Sequence, residues 1–203
     1  MILRIDADRP DDRRLSHVEE CLRDGGVIIY PTDTVYTLGC DISHRKAYER
    51  ICALKEVKPN KANFSIVCHD LSHLSDFTLS LQNATYKLMN RVLPGPYTFI
   101  LDANRHVQKI FGYKKREVGI RVPDHAIPQA IVERLGQPIL SASIKNEDTI
   151  LEYVTDPADL VEAYDGIVDI IIDGGPGGLE PSTVIDCTGE DPVVVREGAG
   201  TAH

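Results

Sequence analysis

Thr32, Asp33, Thr34 and Tyr36 crowd into Tyr30-Pro31-Thr32-Asp33-Thr34-Val35-Tyr36-Thr37-Leu38-Gly39-Cys40-Asp41, between two runs that read as buried strands. Hydroxyls, a carboxylate and phenols so placed offer donors and acceptors suited to a small zwitterion such as an amino acid. The other reading is a turn rich in Thr and Asp that hydrogen-bonds to itself.

Cations and further hydroxyls recur downstream at strand ends. Lys55 and Lys58 close a helical stretch, where a cation complements the helix dipole and can equally grip a phosphate. Arg121 interrupts the apolar run Gly119-Ile120-Arg121-Val122-Pro123, and a charge there needs a carboxylate or a ligand anion as partner. Ser141-Ala142-Ser143-Ile144-Lys145-Asn146, Ser182-Thr183 and Val195-Arg196-Glu197-Gly198 repeat the pattern. Polar groups in such places need internal partners or a bound ligand.

The elements that must position these groups alternate along the chain. Helical spacing of apolar residues predicts helices over 13–24, 44–55, 83–92, 126–135 and 157–164. Apolar runs predict strands over 27–30, 35–39, 64–68, 97–101, 118–122, 139–143, 167–172, 182–186 and 193–196, with Pro31 ending the first because it has no N–H to donate. Several strands follow one another without a helix between them. The expectation is a single α/β domain with a twisted, mixed parallel and antiparallel sheet and helices packed on it. Neither GxGxxG nor GxxxxGK[ST] occurs, so a nucleotide site here is of neither the Rossmann nor the P-loop kind.

Composition narrows the function classes. The chain of 203 residues can bury one sizeable core, and 42% hydrophobic with 26% charged residues is ordinary for a globular protein. No apolar run approaches the roughly 20 residues that span a bilayer and no signal-peptide pattern opens the chain, so a cytoplasmic protein with no membrane partner is expected. Five irregularly spaced cysteines read as reduced thiols, and His69 with His73 reads as a surface pair rather than a metal site. The formal charge of −9 argues against nonspecific attraction to polyphosphate, yet Lys55, Lys58 and Lys61, and Lys114, Lys115, Arg116 and Arg121, concentrate positive charge in two segments.

In order, YPTDTVYTLG, the basic segment, PGPYTFIL, GIRVP, the Ser-containing strand exit, STVID and VVREG resemble the YrdC/TsaC family of threonylcarbamoyl-AMP synthases, most closely its YciO branch. The likeness runs from about Gly25 to Gly198 and implies a YrdC-like fold. It also implies use of ATP, L-threonine and bicarbonate to make threonylcarbamoyl-AMP and pyrophosphate for tRNA modification, with Mg2+ carried by the nucleotide.

Carried over residue by residue, the resemblance puts Thr32, Thr34, Tyr36 and Arg121 around the amino acid. Lys55, Lys58, Ser141, Ser143, Lys145, Ser182 and Arg196 go to the nucleotide, and Lys55 and Ser143 take the catalytic positions. The family's Lys-x-Arg is Lys55-Glu56-Val57 here, and its Ser-x-Asn is Ser143-Ile144-Lys145. These departures imply weakened or altered activity, such as hydrolysis of the adenylate. Two alternatives stand beside it: a module for double-stranded RNA or tRNA, and a catalytically silent nucleotide-binding paralogue.

Overall fold

The computed structural model describes residues 1–111, 115–144 and 154–201. Lys145, Asn146 and Lys114 lie outside the described residues. The strands are β1 (Ile2–Arg4), β2 (Val27–Tyr30), β3 (Thr37–Asp41), β4 (Ser65–Val67), β5 (Tyr97–Asp102), β6 (Glu117–Arg121), β7 (Ile139–Ser143), β8 (Ile170–Asp173), β9 (Thr183–Asp186) and β10 (Val193–Arg196). The helices are α1 (Asp12–Arg23), α2 (Arg45–Leu54), α3 (Asn83–Val92), α4 (Arg105–Phe111), α5 (Ala126–Leu135) and α6 (Pro157–Tyr164).

Among the described residues, the strands make one sheet in the order β1-β8-β2-β3-β7-β4-β6-β5-β9-β10. The sheet is mixed as expected: β2 runs parallel to β8 but antiparallel to β3, and β4 runs parallel to β6 but antiparallel to β7. The fold is thus a single α/β domain.

Local chemistry sets the boundaries. Asp11 caps α1 by accepting from the Arg14 amide, while Leu15, Val18 and Leu22 bury one stripe of the helix. Gly136, in the left-handed region at φ 70°, stops α5. β3 begins two residues later than the alternation predicts. Val35 belongs instead to the turn, where its carbonyl accepts from the hydroxyls of Thr32 and Thr37.

The two faces of the sheet are covered differently. One face, with Val27, Ile29, Leu38, Phe99 and Ile120, packs against Ile51 of α2, Met89 of α3, Val107 of α4 and Leu160 of α6. On the other, Ile28, Tyr30, Ile170 and Ile172 pack against α1 and α5 in a cluster that extends to Val67 and Ile139. Beyond those two residues the register aligns Ser141 of β7, Ser65 of β4 and Gly119 of β6 side by side. Thr98, Val184 and Arg196 align in turn on β5, β9 and β10. Ser141, Ser65, Gly119 and Thr98 therefore give that half of the face a mostly small and polar floor, and what surrounds it is the candidate site.

Candidate functional site

The turn between β2 and β3 supplies one wall. Thr32 Oγ1 donates to the Val35 carbonyl at 2.8 Å and lies 3.0 Å from Thr34 Oγ1, so the turn is in part self-bonded. It is also tied outward. Arg121 Nη2 donates to Asp33 Oδ1 and to Thr34 Oγ1, both at 3.0 Å, and the Asp124 amide donates to Asp33 Oδ2 at 3.0 Å. β2 and β6 are four places apart in the sheet. Successive rotations of roughly 20–25° per strand turn β2 through most of a right angle relative to β6, so chain leaving β2 can cross the face to reach Arg121.

Arg121 is 6% exposed. Burial pulls its pKa down from the ordinary value, and the neighbouring Asp33 carboxylate acts in the opposite sense. Among the described residues its buried Nε has no hydrogen-bond partner. A desolvated guanidinium with a donor to spare is suited to a planar anion such as a carboxylate.

Lys55 is the residue after α2 and, at 7% exposed, lies buried rather than at a solvated helix end. Its Nζ donates to the main-chain carbonyl of Ser143 at 2.7 Å, where β7 ends. Ser143 pairs with Thr37, and Ser141 accepts the phenolic proton of Tyr30 at 2.9 Å. Lys58 is exposed, at the start of a short 3-10 turn over Pro59–Lys61. Val57, where the family pattern has arginine, packs against the main hydrophobic cluster.

The far wall is built on β5, β9 and β10. Thr98 Oγ1 and Ser182 Oγ are 2.7 Å apart, and Arg196 donates through Nη2 to the Ser182 carbonyl at 2.8 Å. A carbonyl thus occupies part of the Arg196 guanidinium, which is only half-buried.

Tyr36 stands apart from the other expected substrate contacts. Its hydroxyl donates to the Gly175 carbonyl at 2.6 Å and accepts from the Gly174 amide at 3.1 Å, and burial pushes its pKa up to about 12. It thereby ties the turn to Gly174-Gly175-Pro176-Gly177-Gly178, a segment the sequence reading passed over. A Cβ at Gly178 would lie 2.0 Å from the Thr34 carbonyl, so only glycine fits. Four glycines in five positions were the available signal. Ser65 and Thr98 were likewise missed, whereas Asp33 and Tyr30 were read as polar groups of the turn motif without the pairings with Arg121 and Ser141 that the structure gives them.

Two hollows lie elsewhere. One of about 700 Å³, lined by Ile2, Arg4, Asp156, Asp173 and Gly175 among others, flanks β1 and β8. One of about 320 Å³ sits among His69, Tyr86, Asn90 and Val122. Neither is lined by Lys55, Ser143, Arg121 or Arg196, so the candidate site is the sheet face with the turn across it. Among the described residues no three His, Cys, Asp or Glu side chains gather as a metal cage, and His69 and His73 instead face Asp70 and Asp76 at 3.5 Å.

A mixed sheet, walled by a Thr-Asp-Thr turn and by the buried cations Lys55 and Arg121, defines the class, and the comparisons agree. Residues 20–198 match the Sua5/YciO/YrdC family model, described as telomere recombination. YciO of Escherichia coli K12 is 42% identical over 198 residues, covering 97% of this chain and 94% of that protein. The crystal structure of E. coli YciO matches at a TM-score of 0.90 and 40% identity, over 99% of this chain and 97% of that one. P. abyssi Sua5 complexed with L-threonine matches at a TM-score of 0.87 and 27% identity, over 98% of this chain and 57% of that one. The chain belongs to the Sua5/YciO/YrdC family. Among the described residues no helix is long and apolar enough to cross a membrane.

Proposed function

We propose that this protein binds ATP, or the adenylate made from it, together with L-threonine, and carries out threonylcarbamoyl-AMP chemistry in weakened or altered form. The observation that carries the reading is Arg121: a buried guanidinium with an uncommitted Nε–H, beside a Thr-Asp-Thr turn, on a fold shared with a Sua5 structure complexed with L-threonine. Its natural ligand is the amino-acid carboxylate. Lys55 and Ser143 then stand where the nucleotide phosphates lie, with Ser141, Ser182 and Arg196 along the face.

In the synthetic direction the threonine amine takes up CO2 from bicarbonate as a carbamate. A carbamate oxygen forms a bond to the α-phosphorus of ATP as the bond to pyrophosphate breaks, and no protein nucleophile is needed. The protein's part is to place the reactants and offset their charge, which the Lys55 ammonium does next to Ser143. Mg2+ carried in by the nucleotide would supply further charge neutralisation at the phosphates, beside the Lys55 ammonium. Val57 is partly buried and packs against the core, so the guanidinium of the synthase pattern is lost without an equivalent at that position. That loss weakens the grip on a triphosphate most, which favours cleavage of the adenylate by water over its synthesis.

The test has two assays: pyrophosphate release with ATP, threonine and bicarbonate, and release of AMP from threonylcarbamoyl-AMP. Turnover in either, with ATP and threonine together raising Tm, supports the reading; no turnover and no rise overturns it.

One observation favours a second reading. Lys115 Nζ donates to the Ala62 carbonyl and, at 3.3 Å, to Asn63 Oδ1, so the two basic segments meet and bring the exposed Lys58, Lys61 and Arg116 into one region. Such a region suits the backbone of a duplex RNA or tRNA. Binding that weakens steeply as salt rises supports it; none at 50 mM salt, the low end of the usual range, removes it.

A further inference from the structure

The hydroxyl protons of the Thr32–Thr34 turn are all committed. Thr32 gives its proton to the Val35 carbonyl, so in the 3.0 Å contact between the two hydroxyls Thr34 must be the donor. Thr34 Oγ1 in turn accepts from Arg121 Nη2, whose other proton goes to Asp33. The threonines therefore bond to each other and to the guanidinium, with no hydroxyl proton left over to donate to a ligand.

Asp33 is the hub of this arrangement. One carboxylate oxygen accepts from Arg121 and the other from the Asp124 amide, so a single side chain joins the turn, the end of β6 and the loop after it. Asparagine cannot replace it, because it has one acceptor oxygen where two N–H groups point. We infer that Asp33 is a positioning residue: it locks the Arg121 guanidinium in the orientation in which it meets the carboxylate of the bound amino acid. This rests on the threonine reading above for its ligand, but not for its geometry.

The experiment compares wild type with Asp33→Asn by calorimetry, using L-threonine, L-threoninol (the same molecule without the carboxylate) and ATP. Wild type should prefer threonine to threoninol by at least about tenfold. In Asp33→Asn the preference should fall to near unity while ATP affinity stays within about twofold, and Asp33→Glu, which keeps both oxygens, should recover part of it. A merely structural role would weaken all three ligands alike, and an unchanged threonine-to-threoninol ratio overturns the proposal. Where Asp33→Asn fails to fold, Thr34→Val removes the other Nη2 acceptor and should lower the same ratio at least about threefold; an unchanged ratio counts as the same refutation. Side-chain NMR of the arginines separates the two readings. If wild type binds no threonine, the ligand assignment fails, yet exchange of the Arg121 Nε–H that quickens about tenfold or more in Asp33→Asn upholds the lock. Equal exchange in both proteins sinks it.

Discussion

Lys55 and Ser143 meet through the serine's main-chain carbonyl, 2.7 Å from the lysine Nζ, and they lie 88 residues apart in sequence. The end of α2 is thereby tied to the end of β7, and a buried ammonium is held at the strand exit to which the proposed reading assigns the nucleotide phosphates. Lys55→Ala should weaken ATP at least tenfold, about 1.4 kcal/mol. Calorimetry checks this, and unchanged affinity removes Lys55 from the nucleotide site.

Because the lysine is anchored on a carbonyl, Ser143→Ala separates chemistry from architecture. The variant keeps the Lys55 contact, since alanine has the same carbonyl. It should remain folded and lose turnover in whichever of the two assays wild type shows it. Full turnover in Ser143→Ala would take the hydroxyl out of the reaction.

Tyr36→Phe tests whether that phenol serves the ligand or the scaffold. It removes the donor to the Gly175 carbonyl and the acceptor of the Gly174 amide, leaving two loop groups short of a partner. The expected cost is about 1–3 kcal/mol in denaturant unfolding, with threonine affinity in the folded variant changed less than about threefold. A larger loss of affinity without loss of stability would restore Tyr36 to the substrate's contacts.

Much of the frame was legible because its core faces are periodic. Asn83–Val92, Ala126–Leu135 and Ile139–Ser143 fall where their apolar spacing puts them, and Val193–Arg196 was legible as a run of valines although those valines are exposed. β1 was missed because three residues, two of them exposed, carry no alternation. α4 was missed because Val107 and Phe111 are the only buried pair in a stretch that reads first as basic. The site was legible as residue types but not as pairings. An arginine in an apolar strand announces that it needs an anion, and only the twist across four strands decides that Asp33 supplies one. The glycines after β8 looked like plain loop because their reason, the approach of the Thr34 carbonyl and the Tyr36 ring, comes from elsewhere in the chain.

That approach makes a sharp prediction. In Gly178→Ala the new methyl would meet the Thr34 carbonyl at 2.0 Å, and a backbone atom cannot rotate away as a side chain can. The turn must shift, at an overpacking cost of about 1–3 kcal/mol or more, and Arg121 loses alignment with it. Stability and threonine affinity should fall together, whereas an alanine tolerated at 178 with both intact would show that the turn and the glycine segment do not bear on each other.

Alkaline pH probes the floor of the site through Tyr30. Its ring is fully buried, and burial pushes its pKa up to about 12, against the hydrogen bond with Ser141 and the charge of Arg121, which pull it down. A phenol of pKa about 10 in the unfolded chain and about 12 in the native state holds its proton more tightly when folded. The stability this contributes is fully present below pH of about 10 and is lost as pH rises from about 10 through about 12, a total of about 3 kcal/mol. Tyr30→Phe gives up the bond to Ser141 at every pH but cannot ionise. Its unfolding free energy should therefore start lower at neutral pH and fall less steeply than wild type between pH of about 10 and about 12. Parallel slopes in denaturant titrations across that range would mean that the phenol ionises as readily in the folded protein as in the unfolded chain, and that the floor beneath Ser141 is open to water.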